Sequence, residues 1–418
     1  MIRFPSLLHH LSAALGLFAL TACSPVGKQL MGDPQNPYPL QAPPKFGDIV
    51  HVPTGILVSQ EQMLTAAGDA RIVYLGETHD NPASHRLHVQ VLEALAKRHP
   101  GRQALGMEMF SRHQQPVLDR WVAGLMDEKA FLRESRWSEN WRMDFDYYRD
   151  LLIFAREKRI PIIALNAEKE LVAALRSKTP DQLSAGERAR LPELDLTDPY
   201  HRAMAEAILG DRHHSGVALD GFIRIQTLWD ETMAESAARY LTSPAGSDKH
   251  LLVVAGGNHV QSGFGIPRRV FRRLPASYVV IGGKEINIPA DKLDRLMDVD
   301  LPALPLVPYD FVVSLAYEDL PQRGVTLGVM MEPAPPGRGL AVKTVVAGSN
   351  AERAGLRPGD LLLAIDGEAL TDTFDLLYAL KQKQPGSSGR LQIERQSQTL
   401  NVDVLFRQID EAHPSMKR

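Results

Sequence analysis

The sequence contains a single cysteine, Cys23, among its 418 residues. No internal disulfide is possible, so the folded state must be stabilised by its hydrophobic core. The sequence also lacks a basic excess: its net charge is −3, which gives no electrostatic basis for binding nucleic acid. After residue 20 it lacks any run of about 20 apolar residues, the length that a transmembrane helix needs. Its length predicts two or three domains, because a typical domain has ~100–200 residues.

The first residues have the features of a signal sequence. Arg3 gives a positive start, residues 11–20 are apolar, and Thr21-Ala22-Cys23 follow. The apolar run is too short to span a bilayer. The stretch resembles a bacterial lipobox, which implies a signal peptide at residues 1–22 and lipid on Cys23. An ordinary secretory signal with a chance cysteine is the alternative.

A lipid on the cysteine would anchor the mature chain to a membrane without spanning it. Residues 23–45 are rich in Pro, Gln and Gly and have little periodicity, so they are predicted to form a tether. Ser24 resembles an outer-membrane sorting residue. The expected location is therefore the bacterial cell envelope, on the periplasmic side of the outer membrane.

One stretch predicts a strand, a tight turn and a helix. Residues 72–75 are apolar, and Gly76-Glu77-Thr78-His79 follow at once. Asn81 and Pro82 indicate a helix start, because a capping side chain precedes a ring that already holds the helical φ. Glu77 and His79 should therefore lie at the carboxyl end of the strand, where ligands bind in open α/β sheets. Taken alone, a turn glycine and a surface histidine explain this motif equally well.

The same design recurs along the chain. Residues 251–255 are apolar and lead through Gly256 to His259, while two other apolar runs end in Glu108 and Asn166. The carboxyl ends of parallel strands meet at one edge of a sheet. Four strands ending in His79, Glu108, Asn166 and His259 therefore predict a shared site.

Residues 46–317 show strands that alternate with helical stretches. This pattern predicts an α/β fold with an open, mainly parallel sheet and helices on both faces. His85 and His88 lie one turn apart on the helix after Pro82 and have the spacing of metal ligands. For His88, a surface histidine beside the buried stripe is the favoured interpretation.

Two other segments offer candidate ligand residues. Residues 137–148 carry several aromatic side chains, including Tyr148, which either line an apolar ligand or pack under the helices. Residues 179–216 are charged and interrupted by proline, and they include Tyr200, His213 and His214. This second segment is predicted to be either a lid that contributes ligands or a solvated loop.

A family resemblance rests on several motifs together. They are the segment 76–81, the strand end 107–110, the helix segment 226–235 and the glycine-rich segment 263–267. These motifs resemble the ChaN family of haem-binding lipoproteins associated with iron uptake, within the Tiki/TraB/erythromycin-esterase-like superfamily. The resemblance implies haem as the cofactor and a role in haem or iron uptake at the envelope.

The resemblance further implies axial ligation of haem by Tyr, with His contributing, and allows a homodimer. It does not assign the ligands to particular residues of this chain. The candidate haem ligands are Tyr148, Tyr200, His213 and His214, with His79 and His259 in the cleft.

A metal-dependent hydrolase of protease or esterase type is the alternative function, because relatives in the superfamily include such enzymes. Glu77, His79, Glu108 and His259 would then be catalytic residues, because imidazoles and carboxylates serve as general acids and bases. A divalent metal ion would be held by His79, Glu108 and His259.

Residues 322–408 resemble a PDZ domain. Thr326-Leu327-Gly328-Val329, Pro358-Gly359-Asp360 and the hairpin signal Asp366-Gly367 carry the resemblance. It implies that an extended or C-terminal peptide adds to an open strand edge, with Leu327, Gly328 and Val329 at the carboxylate-binding loop. The alternative is a domain that only packs against the first one. Residues 409–418 are predicted to be a tail.

Overall fold

The computed structural model describes residues 38–210, 216–295, 304, 306–321, 323–332 and 339–408. The predicted signal peptide, Cys23, His213, His214 and the tail 409–418 lie outside these residues, as does most of the predicted tether. Within the described ranges, no helix is both long and apolar enough to cross a bilayer.

The first domain is built on a single sheet. Its strands among the described residues are β1 (Ile49–His51), β2 (Ile56–Val58), β3 (Ile72–Glu77), β4 (Gln103–Ser111), β5 (Ile162–Asn166), β6 (His250–Gly256), β7 (Tyr278–Glu285) and β8 (Phe311–Leu315). The strand order is β2-β1-β8-β7-β3-β6-β4-β5. From β8 to β5 every neighbouring pair is parallel, whereas β1 is antiparallel to both β2 and β8.

Helices connect the parallel strands. They are α1 (Gln60–Asp69), α2 (Pro82–Arg98), α3 (Gln115–Val122), α4 (Glu128–Glu134), α5 (Trp137–Asn140), α6 (Arg149–Glu157), α7 (Lys169–Ser177), α8 (Ala185–Arg188), α9 (Pro199–Leu209), α10 (Gly216–Thr242), α11 (Gly257–Val260) and α12 (Ile266–Arg273). The helix start at Pro82 is as predicted, since the Asn81 side chain accepts a hydrogen bond from the Ala83 amide.

The sheet is covered on both faces because successive side chains of a strand point to opposite sides. Val73 and Leu75 of β3 belong to one hydrophobic cluster, which includes residues of α1, α2, α3 and α6. Ile72 and Tyr74 belong to another, which includes residues of α10 and α12. The predicted fold class, a mainly parallel sheet with helices on both faces, is confirmed.

The second domain is an antiparallel sheet with two short helices. Its elements are β9 (Val329–Glu332), β10 (Leu340–Val345), α13 (Asn350–Arg353), β11 (Leu361–Ile365), β12 (Glu368–Ala369), α14 (Thr373–Lys381), β13 (Ser388–Arg395) and β14 (Gln398–Leu405). The order is β14-β13-β11-β10-β9, with β12 paired to β11. Asp366 and Gly367 both have positive φ, 50° and 87°, as the predicted hairpin turn requires. Strand β9 lies at the edge of this sheet.

Helix α14 contacts the first domain through charged and aromatic side chains. Arg133 of α4 bonds Asp372 at 2.5 Å and Asp375 at 2.7 Å, and its guanidinium lies 4.7 Å from the centre of the Phe374 ring. Lys129 lies 3.1 Å from Asp375. Helices α4 and α14 therefore form part of the contact between the domains, to which Lys381 of α14 adds ion pairs with Asp144 and Asp146.

Candidate functional site

The carboxyl end of β3 lies beside that of β6, so the two Gly-x-x-His motifs meet. Glu77 and Gly256 are register partners across the two strands. A Cβ at Gly256 would lie 3.0 Å from His79 Nε2 and 3.6 Å from Glu108 Oε2. Because glycine has no side chain, the His79 imidazole and the Glu108 carboxylate can occupy the space beside Gly256. The Gly256 amide donates a hydrogen bond of 2.7 Å to Glu108 Oε2.

The His79 imidazole is oriented by the carboxylate two residues before it. Its Nδ1 lies 2.6 Å from Glu77 Oε1. Burial lowers the pKa of His79, but the hydrogen bond with Glu77 and the charges of Glu77 and Glu108 outweigh it and raise the pKa above its ordinary value. The Nε2 atom is directed toward the Gly256 backbone and Glu108.

The His259 imidazole is held in the same way by a residue of α10. Its Nδ1 lies 2.6 Å from Asp230 Oδ1, and its Nε2 lies 3.5 Å from Glu108 Oε1. Burial lowers the pKa of His259, but Glu108 and Asp230 together raise it to about 9. Glu108 therefore lies between two imidazoles, and each imidazole is hydrogen-bonded to a further carboxylate: His79 to Glu77 and His259 to Asp230.

Asp230 and His201 are functional candidates that the sequence did not place at the site. His201 of α9 bonds the other oxygen of Asp230 at 2.8 Å. Burial raises the pKa of Asp230, but the two imidazoles outweigh it and hold the pKa well below its usual range. In the sequence, the indication of a role for Asp230 was its spacing of four residues from Gln226, which puts both side chains on one face of α10.

Aromatic contacts occur at His79 and at the start of α9. Trp141 makes an edge contact with His79, with ring centres 5.0 Å apart. Tyr200, at the start of α9, stacks on Phe264 with ring centres 4.8 Å apart and an angle of 9°. Tyr200 is 44% exposed, so its hydroxyl-bearing ring is accessible to a ligand.

Tyr148 occupies a different environment from the one expected of a cleft ligand. It is fully buried, and its hydroxyl donates a hydrogen bond of 2.6 Å to Glu77 Oε1. Burial, followed by the charge of Glu77, raises the pKa of Tyr148 well above its ordinary value. Its hydroxyl therefore supports Glu77 from inside the domain and is not presented to a cofactor.

His88 is buried, so its interpretation as a surface histidine was wrong. Its side chain is 0% exposed, and that of His85 is buried as well. Both residues face Glu77 from α2: His85 Nδ1 lies 3.8 Å and His88 Nδ1 3.4 Å from Glu77 Oε2. The period of α2 puts these two residues on its buried side beside Leu92 and Val91.

The predicted metal ligands His79, Glu108 and His259 are neighbours, but they are not the tightest donor group. Within the described part of the chain, the three residues whose ligand atoms all lie within 4.8 Å of one another are Glu77, His85 and His88. Metal binding by His79, Glu108 and His259 stays a prediction. Asn166, the fourth predicted strand end, donates to the Glu108 carbonyl at 3.0 Å and ties β5 to β4.

The loop before β9 has the geometry that its sequence requires. Gly328 has a φ of +81°, and a Cβ there would lie 2.2 Å from Ser349 Cβ. Leu327 is buried in the core of the second domain. Val329 begins the edge strand β9.

The fold and the site together define an α/β protein with a histidine–carboxylate site at the carboxyl edge of its parallel sheet, joined to an antiparallel β domain. Residues 63–270 match the family model described as haem-binding uptake, Tiki superfamily, ChaN. Residues 342–395 match the model of the PDZ domain. The first domain thus belongs to the ChaN family, and the second is a PDZ domain.

Several solved structures match parts of this chain. A structure described as cofacial heme binding to ChaN of Campylobacter jejuni is 17% identical, with 67% of this chain and 100% of that chain covered and a TM-score of 0.50; it shows that the fold is shared. The HtrA-type protease AlgW with decapeptide is 24% identical, with 20% and 29% covered and a TM-score of 0.19. The PDZ domain of HtrA3 bound to a phage-derived ligand is 22% identical, with 20% and 85% covered and a TM-score of 0.18. No match was found among curated proteins.

Proposed function

We propose that this protein binds haem at the carboxyl edge of the first-domain sheet and handles haem or iron in the bacterial envelope. Membership of the haem-binding family supports the cofactor. The observation that carries the proposal is that two imidazoles, His79 and His259, lie at one edge of the sheet, both close to Glu108. Haem in proteins is ligated by imidazole or phenolate groups within an apolar surround.

The described residues fit a planar aromatic cofactor. Trp141 lies beside His79, and the Tyr200 ring is already stacked on Phe264. Haem would supply an iron atom that protein side chains can ligate. Tyr200 is the tyrosine that we propose would hold the iron, because its side chain is accessible while that of Tyr148 is buried.

The test is a titration of the purified protein with haemin, followed by its Soret absorbance. Tyr200→Phe should shift the Soret band and weaken binding at least tenfold. Tyr38→Phe is the matched control, because Tyr38 is 59% exposed and packs against Gly55 in the β1–β2 turn. His213→Ala and His214→Ala, taken singly and together, test the remaining candidates. Absence of a Soret shift in the wild-type protein would reject the proposal.

A metal-dependent hydrolase is the second candidate, and one observation favours it. Glu108 lies between two imidazoles that Glu77 and Asp230 orient, an arrangement that general acid–base chemistry uses. A divalent ion held by His79, Glu108 and His259 would supply an activated water there. The test is turnover of ester and peptide probes with added Mn²⁺ or Zn²⁺, with His79→Ala as the inactive control. Turnover that His79→Ala does not reduce would argue against this candidate.

For the PDZ domain we propose binding of an extended or C-terminal peptide along β9. The support is that β9 is an edge strand and that Leu327-Gly328-Val329 precede and open it, as β-augmentation requires. A library of peptides with free C-termini should yield binders whose affinity falls when the terminal carboxylate is amidated. Binding that amidation leaves unchanged would place the peptide elsewhere.

We also propose lipid anchoring at Cys23, on the periplasmic side of the outer membrane. Labelling of cells with a palmitate analogue should mark the wild-type protein and not Cys23→Ala. Fractionation of the envelope shows which membrane contains the protein. Sedimentation with and without haemin tests the homodimer that the family resemblance allows. Label on Cys23→Ala would reject the anchor.

A further inference from the structure

A second polar cluster lies behind the edge site, on the interior side of Glu77. It consists of Glu77 at the end of β3 and of His85 and His88 in the first turns of α2. The two histidine side chains share one face of α2 because they are three residues apart. All three residues are buried, with exposures of 6%, 5% and 0%. Polar groups buried this deeply normally have hydrogen-bond partners.

The hydrogen bonds of the cluster leave several atoms unused. Glu77 Oε1 accepts from Tyr148 and pairs with His79, but Oε2 has no hydrogen-bond partner among the described residues. Among the same residues, neither ring nitrogen of His88 has a partner, and His85 Nδ1 has none. Four polar atoms without partners therefore meet in one buried place.

The tautomer of His85 follows from its one hydrogen bond. Its Nε2 lies 2.9 Å from the carbonyl oxygen of His79. A carbonyl only accepts, so Nε2 carries the proton and Nδ1 offers a lone pair toward Glu77. A backbone carbonyl that fixes the tautomer of an imidazole in this way is the usual support of a metal-bound histidine.

We propose that Glu77 Oε2, His85 Nδ1 and one ring nitrogen of His88 bind a divalent transition-metal ion of the Zn²⁺ class. Glu77 Oε2 lies 3.8 Å from His85 Nδ1 and 3.4 Å from His88 Nδ1, and the ligand atoms of the three residues all lie within 4.8 Å of one another. Ligand atoms about 2.0–2.2 Å from a tetrahedral Zn²⁺ are themselves separated by roughly 3.3–3.6 Å. The two distances from Oε2 are therefore close to those of a zinc site.

The charges of the three groups suit a cation. Burial lowers the pKa of His88 to about 3, and burial also lowers that of His85, so both imidazoles are neutral ligands. Burial raises the pKa of Glu77, but the surrounding imidazoles outweigh it and bring the pKa to about 2. One carboxylate and two neutral imidazoles form a donor set that divalent transition metals prefer.

The ion would have a structural role, because the site is closed to solvent. It would fix the end of β3 to the start of α2 and so hold Glu77, whose other oxygen orients His79. This inference does not rest on haem binding, since none of the three residues is a candidate haem ligand. A buried water could also bond these atoms, and the experiment separates the two.

The experiment uses the full chain, freed of haem, stripped with a chelator and dialysed. ZnCl₂ or CoCl₂ is then added, excess ion is removed, and bound metal is measured by mass spectrometry. We expect one ion per chain, a higher Tm and, with Co²⁺, the strong visible absorption of a tetrahedral site. A wild-type protein that retains no ion and has the same Tm with and without chelator would overturn the proposal, and a buried water would then occupy the site.

The variant His88→Gln should lose the ion, the Tm increase and the Co²⁺ absorption. His113→Gln is the matched control, because His113 is exposed on the surface and should keep all three. If His88→Gln does not fold, as judged by circular dichroism, His85→Gln gives the same test. Metal binding by a folded His88→Gln at wild-type level would overturn the proposal. Haemin titration of His88→Gln should match wild type, which distinguishes failure of this site from failure of haem binding.

Discussion

Asp230 holds a proton on His259 inside the first domain. Their side chains meet at 2.6 Å, between His259 Nδ1 and Asp230 Oδ1. Glu108 and Asp230 overcome the burial of the imidazole and raise the pKa of His259 to about 9. In the metal-free and haem-free protein the protonated ring donates to Asp230 and directs its second N–H toward Glu108, so His259 is positively charged at neutral pH.

The first prediction concerns the pH dependence of stability in metal-free and haem-free protein. His259 has a higher pKa in the folded state than its ordinary value of 6.5. Its contribution is therefore complete below pH 6.5 and is lost as the pH rises through about 9. Asp230→Asn should remove a part of this stabilisation, on the order of 1–2 kcal/mol at pH 6 and less at pH 9.5, because Glu108 raises the pKa of His259 as well.

Urea unfolding at a series of pH values measures this difference. Asp220→Asn is the control, because Asp220 lies on the same helix but has an exposed side chain. If Asp230→Asn lowers the free energy of unfolding by the same amount at both pH values, Asp230 does not stabilise the protonated form of His259.

The second prediction compares two buried tyrosines. Tyr148 donates to the ionised Glu77, whereas the Tyr74 hydroxyl is buried and has no hydrogen-bond partner in the part of the chain that the structure describes. Tyr148→Phe should destabilise the protein by about 1.5–3 kcal/mol, because a hydrogen bond to a charged group is lost. Tyr74→Phe should be neutral or stabilising, because it removes an unpaired buried hydroxyl. Thermal and chemical unfolding of both variants test the pair, and equal losses would contradict it.

The third prediction concerns the loop that opens the PDZ edge strand. Gly328 and Gly348 both have positive φ, +81° and +73°, but only Gly328 faces another residue closely, at Ser349. Gly348→Ala should cost about 1–2 kcal/mol from backbone strain alone. Gly328→Ala should cost more, since its Cβ would overlap that of Ser349. The unfolding transition of the second domain in the full chain is the measurement, and a Gly328→Ala cost no larger than that of Gly348→Ala would refute the close contact.

The fourth prediction concerns the joint between the domains. Arg133→Met removes the ion pairs with Asp372 and Asp375 and the contact over Phe374. The change in global stability should stay below about 1 kcal/mol, because Arg133 is part-exposed and its ion pairs are screened. Cleavage by trypsin at Arg323, between the two domains, should become faster. Arg136→Met is the control, since Arg136 pairs with Glu139 inside its own domain; cleavage rates that match for the two variants would count against the docking contact.

The sequence predicts the parallel sheet and the meeting of its strand ends because these depend on local patterns. Apolar runs that end in Gly76 and Gly256 specify strand and turn, and parallel pairing then brings His79 and His259 to one edge. The hairpin of β1 and β2 was not predicted, because three-residue strands carry too little alternation to be recognised.

Whether an individual side chain is buried or exposed was harder to predict from the sequence. Tyr148 and His88 lie at positions where the local pattern allows either burial or exposure, and the packing of α6 against α2 decides the outcome. Asp230 joins the site from a helix far away in sequence. Its role becomes visible only when α10 lies across the sheet beside His259.

Helix α14 is part of the PDZ domain, and Arg133 and Lys129 of the first domain form ion pairs at its N-terminal end. A peptide that displaced this helix would have to break those contacts, and its affinity would fall by the free energy of breaking them. By thermodynamic reciprocity, such a peptide would weaken the contact between α4 and α14 by the same free energy that the contact takes from peptide binding.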